Sequence, residues 1–210
     1  MKRREFLRNS LGMGSGVLAL TCQATLTAAN GNTAVEKLTV TEKNILGPYF
    51  RSGAPCRAKI SPPMAKGRVL LISGRVWSIK TKKPINGALL DIWQADHEGH
   101  YDNDGSSRLD EKEFLYRSQL ISREDGFYEF ESILPSRYKI AKNTWRPRHI
   151  HYRIKAPGHK ELITQLYFKD DPHNKNDKFI HPSLIIPLKD EKGENGTYQS
   201  GTFDIVLDGL

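Results

Sequence analysis

Cysteine is almost missing from this chain: there are two, Cys22 and Cys56. That excludes a disulfide framework of the kind that holds small secreted domains together. Nor is there an apolar run long enough to cross a bilayer, because the best candidate, residues 11–21, falls short of the roughly 20 residues required. A helical period of 3.6 never persists for twelve residues, except weakly around residues 106–114, which argues against a helix bundle. Blocks of like charge are missing too. The formal charge is +8, but Lys2, Arg3, Arg4 and Arg8 less Glu5 supply +3 of it, leaving +5 scattered over the remainder. With no recognition helix and no ladder of basic and aromatic residues, nucleic acid is not an expected partner. No internal repeat or low-complexity segment is visible.

What is present begins with the N-terminus. Lys2-Arg3-Arg4-Glu5-Phe6-Leu7-Arg8 is a basic segment with a twin arginine, followed by a short apolar run and by small residues near Ala28 and Ala29. The order of these regions resembles a twin-arginine export signal. Residues 1–29 are therefore expected to be a removable signal peptide and the protein to be exported, to the periplasm, with no other attachment to the membrane. Residues 30–43 read as an N-terminal arm and residues 44–210 as one domain. About 180 residues bury roughly 70% of their unfolded surface, so the domain needs no covalent staple. Cys22 falls in the signal, and Cys56 is expected to be an unpaired, partly buried thiol.

Short β-branched and alternating runs recur along the rest of the chain. Residues 68–78, 88–95, 114–122, 127–133, 149–156, 162–168 and 202–207 read as strands, separated by turns such as 81–87, Asp125-Gly126 and 134–138. Asn195-Gly196-Thr197 reads as a turn. Long polar loops, above all 96–113, lie between them. The expected fold is all-β: a sandwich of short, mainly antiparallel strands whose long loops carry the functional site.

One stretch stands out, Trp145-Arg-Pro-Arg-His149-Ile150-His151-Tyr152. Residues two apart on a strand share a face, and a rise of about 3.3 Å per residue puts their Cα atoms about 6–7 Å apart. His149 and His151 can thus bind one metal ion, with Ile150 facing away. Taken alone, the pair is a weak signal and reads more readily as two stacked surface imidazoles. His97, His100 and His173 fall in loops and read as solvated side chains.

Other segments give the pair a context. Trp93-Gln94-Ala95-Asp96-His97-Glu98-Gly99-His100-Tyr101, Leu134-Pro135-Ser136-Arg137-Tyr138 and Arg146-Pro147-Arg148-His149-Ile150-His151 resemble, in order and spacing, motifs of the intradiol ring-cleavage dioxygenases. So do Gly47-Pro48-Tyr49-Phe50, Leu162-Ile163-Thr164-Gln165-Leu166-Tyr167-Phe168 and the closing Phe203-Asp204-Ile205-Val206-Leu207. The resemblance runs from Gly47 to the C-terminus, and within the family it is to the iron-binding subunit of protocatechuate 3,4-dioxygenase.

The resemblance implies a non-haem Fe(III) centre, one ion per chain, held by Tyr101, Tyr138, His149 and His151 with hydroxide as a fifth ligand. Phenolate and hydroxide are hard donors suited to Fe(III), whereas zinc favours Cys, His and carboxylate. It further implies intradiol cleavage of a catechol-type diol by O2 to a muconate-type diacid. Tyr138 and the hydroxide would give way to the diol and accept its two protons, and Arg146 and Gln165 would steady charge developing on the ring. Tyr49 and Ile140 would line the substrate pocket. Ile140 also departs from the family pattern, since Tyr138-Lys139-Ile140 replaces Tyr-Pro-Trp, and this puts protocatechuate itself in doubt. A homo-oligomer or a second subunit stays open. Two other readings remain beside this one. One is a non-catalytic β-sandwich binding module. The other is a cupin-like metalloenzyme, which would require a Glu soon after the His pair and a further downstream His.

Overall fold

The structure, a computed structural model, describes residues 38–106, 113–194 and 196–210. The signal-like segment, most of the arm and the core of the weakly helical stretch lie outside the described residues. Among the described residues twelve strands account for nearly all the regular structure: β1 (Val69–Ser78), β2 (Leu89–Gln94), β3 (Arg117–Ile121), β4 (Phe127–Ile133), β5 (Tyr138–Ala141), β6 (Thr144–Arg146), β7 (His149–Lys155), β8 (Leu162–Phe168), β9 (Ile185–Ile186), β10 (Lys189–Gly193), β11 (Gly196–Thr202) and β12 (Ile205–Leu207). Among the described residues the only helical turns are two of 3-10 type, Asn174–Asn176 and Pro182–Leu184. None is long and apolar enough to cross a membrane.

Two five-stranded sheets carry the fold. One has the order β3-β2-β7-β8-β9; the other runs β10-β11-β1-β12, with β4 also paired to β1. Their inner faces share one core. Leu70, Ile72 and Val76 of β1 and Phe130 of β4 meet Leu90, Ile92, Ile150, Ile154 and Leu166 of the opposite sheet. Strict alternation of buried and exposed positions along β1 is what a half-buried strand dictates. The all-β sandwich expected from the sequence is the observed architecture. Most ladders are antiparallel, but β1 runs parallel to β11 and β12, and β8 to β9.

Strands β4 and β8 begin and end where the sequence reading puts them. The expected strand 202–207 instead divides, with Phe203 and Asp204 between β11 and β12. The β10–β11 hairpin escaped the reading because it is polar on both faces; its charged outer strand protects an exposed edge. The β5–β6 hairpin was also missed, its first strand beginning at Tyr138, where a turn was expected. Cys56 corrects a further expectation: the thiol is free but exposed. Residues 54–60 are pinned through their backbone, Cys56 bridging to Gln119 in β3 and Lys59 to Glu131 in β4. This strap closes an edge of each sheet and leaves the Cys56 side chain outside.

The exchange of partners along β1 depends on Gly74. Here β1 leaves β11 after Ser73 and joins β12 at Val76, and Phe203 N–H donates to the Ser73 carbonyl at 2.8 Å. A Cβ on Gly74 would stand 2.0 Å from the Phe203 carbonyl oxygen, a backbone atom that cannot swing aside. Gly74→Ala should therefore destabilise the domain by about 3 kcal/mol or more. Urea denaturation checks this, and a loss under about 1 kcal/mol would show that the two chain segments can separate cheaply.

Candidate metal centre

Alternation along β7 sends Ile150, Tyr152 and Ile154 into the core and His149 and His151 to the outer face. Strand register then arranges partners beside them. Arg117, Trp93, His151 and Gln165 form one transverse row across β3, β2, β7 and β8, and His149 lies opposite Tyr167 in the next. The Trp93 indole stacks on the His151 ring, with centroids 4.7 Å apart and planes 7° from parallel.

An outer sheet face would ordinarily be wet. Here Leu46, Tyr49 and Phe50 roof it, packing with Trp93, Ala95, Tyr101 and Tyr138, so that both imidazoles are almost wholly buried. Gly47 is needed in that roof. Its φ is +75°, and a Cβ there would lie 3.1 Å from His151 Cε1.

Four donors meet beneath the roof. Tyr101 Oη lies 3.3 Å from His149 Nε2, which lies 3.2 Å from His151 Nε2. Two ligand atoms each about 2.1 Å from a shared ion stand about 3 Å apart when they subtend a right angle. The Tyr138 ring lies 5.6 Å from the Tyr101 ring and 5.6 Å from that of His149. His149 Nδ1–H donates to the Pro147 carbonyl at 2.7 Å, which fixes the tautomer and leaves the Nε2 lone pair aimed inward.

Burial, assisted by the Arg146 charge, holds the His149 pKa down to about 3, and burial together with His149 depresses that of His151 well below its ordinary value. Both imidazoles are therefore neutral donors at pH 7. Burial raises both phenols, Tyr101 strongly, with Tyr138 as its second cause. In Tyr138 the nearby Arg146 opposes the rise. The phenols keep their protons unless a cation sits where the donors meet. Asp102 and Asp177, the buried carboxylates nearby, are committed to guanidinium groups. Two neutral nitrogens with two phenols as the remaining anionic donors fit a hard trivalent ion such as Fe(III). Asp96, His97 and Glu98 also cluster, but Asp96 Oδ1 already accepts from the N–H groups of Glu98, Gly99 and His100, the pattern of a turn.

Arg146, in register with Tyr138 across the β5–β6 hairpin, is buried. Its Nε donates to Asp177 Oδ2 at 2.5 Å and its Nη2 to Gln165 Oε1 at 2.7 Å and Tyr167 Oη at 3.1 Å. Gln165 Nε2 in turn donates to the Ile45 carbonyl in the roof at 2.9 Å. Tyr49 stacks on Tyr101 with centroids 4.3 Å apart. The structure thus brings Tyr49, Tyr101, Tyr138, Arg146, His149, His151 and Gln165 together. Ile140 stands apart, 54% exposed at the register shift of the hairpin. Sequence reasoning missed Asp102, Arg117 and Asp177. Asp102 had adjacency to Tyr101 as its signal; Asp177, in a polar loop, had none.

In metal-free protein the depressed histidines make stability depend on pH. An unfolded His149 takes up a proton as pH falls through about 6.5, while the folded one resists until about 3. The folded state is thus favoured above that window and loses up to about 5 kcal/mol from this group as pH falls through it. Urea unfolding of the metal-free protein should show a midpoint that drops between pH 7 and pH 4, and His149→Asn should flatten the slope. Parallel slopes in the two proteins would contradict the assignment.

A family model described as Dioxygenase matches residues 45–209. Chlorocatechol 1,2-dioxygenase of Rhodococcus opacus is 32% identical over 188 residues, covering 80% of this chain and 72% of its own. The 6-chlorohydroxyquinol 1,2-dioxygenase of Cupriavidus pinatubonensis is 32% identical over 224 residues, covering 98% and 75%. The crystal structure of 3-chlorocatechol 1,2-dioxygenase from Rhodococcus opacus superposes with a TM-score of 0.75 at 27% identity, over 85% of this chain and 76% of that one. With a match of that extent, the chain belongs to the intradiol ring-cleavage dioxygenase family.

Proposed function

We propose that this protein is a non-haem Fe(III) dioxygenase that opens a catechol- or hydroxyquinol-type ring between its two hydroxyl groups, using O2 and yielding a muconate-type diacid. The observation that carries the reading is the convergence of Tyr101 Oη and the two histidine Nε2 atoms, each 3.2–3.3 Å from the next, beneath a water-excluding aromatic roof. The named relatives point to catechol, chlorocatechol and hydroxyquinol rather than protocatechuate.

Tyr101, Tyr138, His149 and His151 would hold the ion. When bound, ferric iron supplies a Lewis acid that acidifies the phenols and prepares a chelated diol for reaction with O2. The remaining work falls to the protein. His149 Nδ1–H, tied to Pro147, keeps one donor nitrogen free of a proton. Tyr138, less buried than Tyr101 and mounted on a separate hairpin, is the donor able to move and to take a diol proton at its Oη. Arg146, held by Asp177 and Gln165, offers positive charge toward the ring as negative charge develops there. Phe50 and Trp93, packed edge to face at 5.1 Å, and Tyr49 keep bulk water out.

We further propose that the twin-arginine segment exports the enzyme already folded, so that it meets exogenous aromatic diols outside the cytoplasm. The order of regions in residues 1–29 supports this: a basic segment with a twin arginine, a short apolar run and small residues.

Iron-loaded protein should be burgundy from tyrosinate-to-Fe(III) charge transfer, and anaerobic catechol should shift that band. Full iron occupancy in a colourless protein would sink the ligand assignment. Tyr138→Phe should slow catechol binding by about a hundredfold while iron content stays within about twofold. Loss of iron from Tyr138→Phe but not from Tyr101→Phe would reverse the roles of the two tyrosines. Replacing Arg3 and Arg4 together by Lys should trap the protein in the cytoplasmic fraction; unchanged periplasmic yield would refute twin-arginine export.

A further inference from the structure

The two tyrosine donors are mounted very differently. Tyr101 is followed by Asp102, whose side chain is completely buried between two guanidinium groups. Arg117 Nε donates to Asp102 Oδ1 at 2.6 Å, and its Nη2 contacts the same oxygen and donates to Asn103 Oδ1 at 2.7 Å. On the other side Arg51 Nη1 and Leu115 N–H donate to Asp102 Oδ2 at 3.0 and 3.2 Å. Arg117 itself lies in β3 directly opposite Trp93, whose indole stacks on His151. Asp102 therefore fastens the Tyr101 loop to the same transverse row that presents a histidine donor.

That fastening has a cost that asks for a reason. Arg117 is 1% exposed, and its buried Nη1 finds no partner among the described residues. An apolar contact would hold a loop without burying a charge. Charge-assisted hydrogen bonds from Arg117 to one Asp102 oxygen, and from Arg51 to the other, add fixed direction, which apolar packing does not. Tyr138 is held at one remove: the buried Arg146 opposite it on β6 ties the hairpin to Asp177 and Gln165, so the anchoring ion pair belongs to the facing strand and not to the residue next to Tyr138. Its strand β5 pairs only with β6, the hairpin joins neither large sheet, and Lys139 and Ile140 beside it are exposed.

We propose that Asp102, through Arg117, is a positioning residue that keeps Tyr101 in place while Tyr138 moves, and so decides which tyrosine stays on the metal when a diol binds. The proposal rests on the ferric reading given above. Asp102 acts through Tyr101 and touches neither substrate nor metal.

The test uses iron-loaded protein under anaerobic conditions and reads two quantities other than turnover. These are the tyrosinate-to-iron absorption band and the rate at which a chelator removes iron, with and without catechol. Wild type should keep part of its band and its iron when catechol is added. Asp102→Asn should lose iron about tenfold faster, or more, in the presence of catechol than wild type does, with the residual band weakened, and should differ much less without catechol. Phe130→Leu, a core change in β4 away from the site, gauges general loosening. Equal acceleration in that variant would overturn the proposal, as would an Asp102→Asn protein that matches wild type. If Asp102→Asn fails to fold, Arg51→Met removes one of the two guanidinium partners and should show the same catechol-dependent loss in smaller degree; an unchanged rate would refute the role. A colourless, fully loaded wild type would instead defeat the ferric reading itself.

Discussion

Burial of His149 and His151 on the outer face of a sheet is the constraint from which the rest of the site follows. A strand can place two side chains on that face without difficulty, but imidazoles there would ordinarily be hydrated and free to protonate. Covering them with Leu46, Tyr49 and Phe50 removes the water and drives both pKa values down. It also demands a partner for each buried polar atom, which His151 Nδ1 lacks among the described residues. His149 meets that demand through Pro147, and the outcome is a nitrogen lone pair with a fixed direction. The roof in turn depends on Gly47 crossing close over His151, and on Gln165 holding the Ile45 carbonyl. Roof, tautomer and donor geometry are thus one arrangement and not three.

Around that centre the charges come in compensated pairs. Arg146 with Asp177 stands on the side of the β5–β6 hairpin, and Arg117 with Asp102 on the side of the buried loop. Each pair flanks one tyrosine, yet their mechanical settings are opposite. Arg146 is the cross-strand neighbour of Tyr138 and reaches past it to Gln165 and Tyr167. Arg117 reaches backward to the loop that carries Tyr101. The proposed release of one phenol and retention of the other needs such an asymmetry, because the two side chains are chemically identical.

The histidine pair was legible in the sequence because strand alternation is a local rule, and the sandwich because short alternating runs recur between polar turns. Tyr101 and Tyr138 were legible only through the motifs that contain them; nothing about a tyrosine in a turn marks it as a donor. Asp177 could not be read at all. Its importance arises from a loop folding back against Arg146, 31 residues away. The β10–β11 hairpin was hidden for a different reason: it buries neither face well, so its pairing left no hydrophobic period. Cys56 was misjudged because the composition of a strap says little when backbone bridges hold it in place.

Charge balance gives the buried centre a preference among metals. Arg146 with Asp177 and Arg117 with Asp102 cancel, Arg51 adds a positive charge on the far side of Asp102, and the imidazoles are neutral, so the phenols are the only side chains that can offer negative charge directly to an ion. Two phenolates and one hydroxide cancel a trivalent ion completely. The same set around a divalent ion leaves one uncompensated negative charge beneath an aromatic roof, where desolvation is expensive. A divalent ion would relieve this by leaving one phenol protonated, and the burial-raised phenols make that the easier course. A protonated phenol is a poor ligand, so the divalent ion would be held by fewer donors and more weakly. On the proposed ferric reading, selectivity for Fe(III) needs no ligand beyond the four proposed: it follows from placing two reluctant acids where a highly charged ion is needed to ionise both.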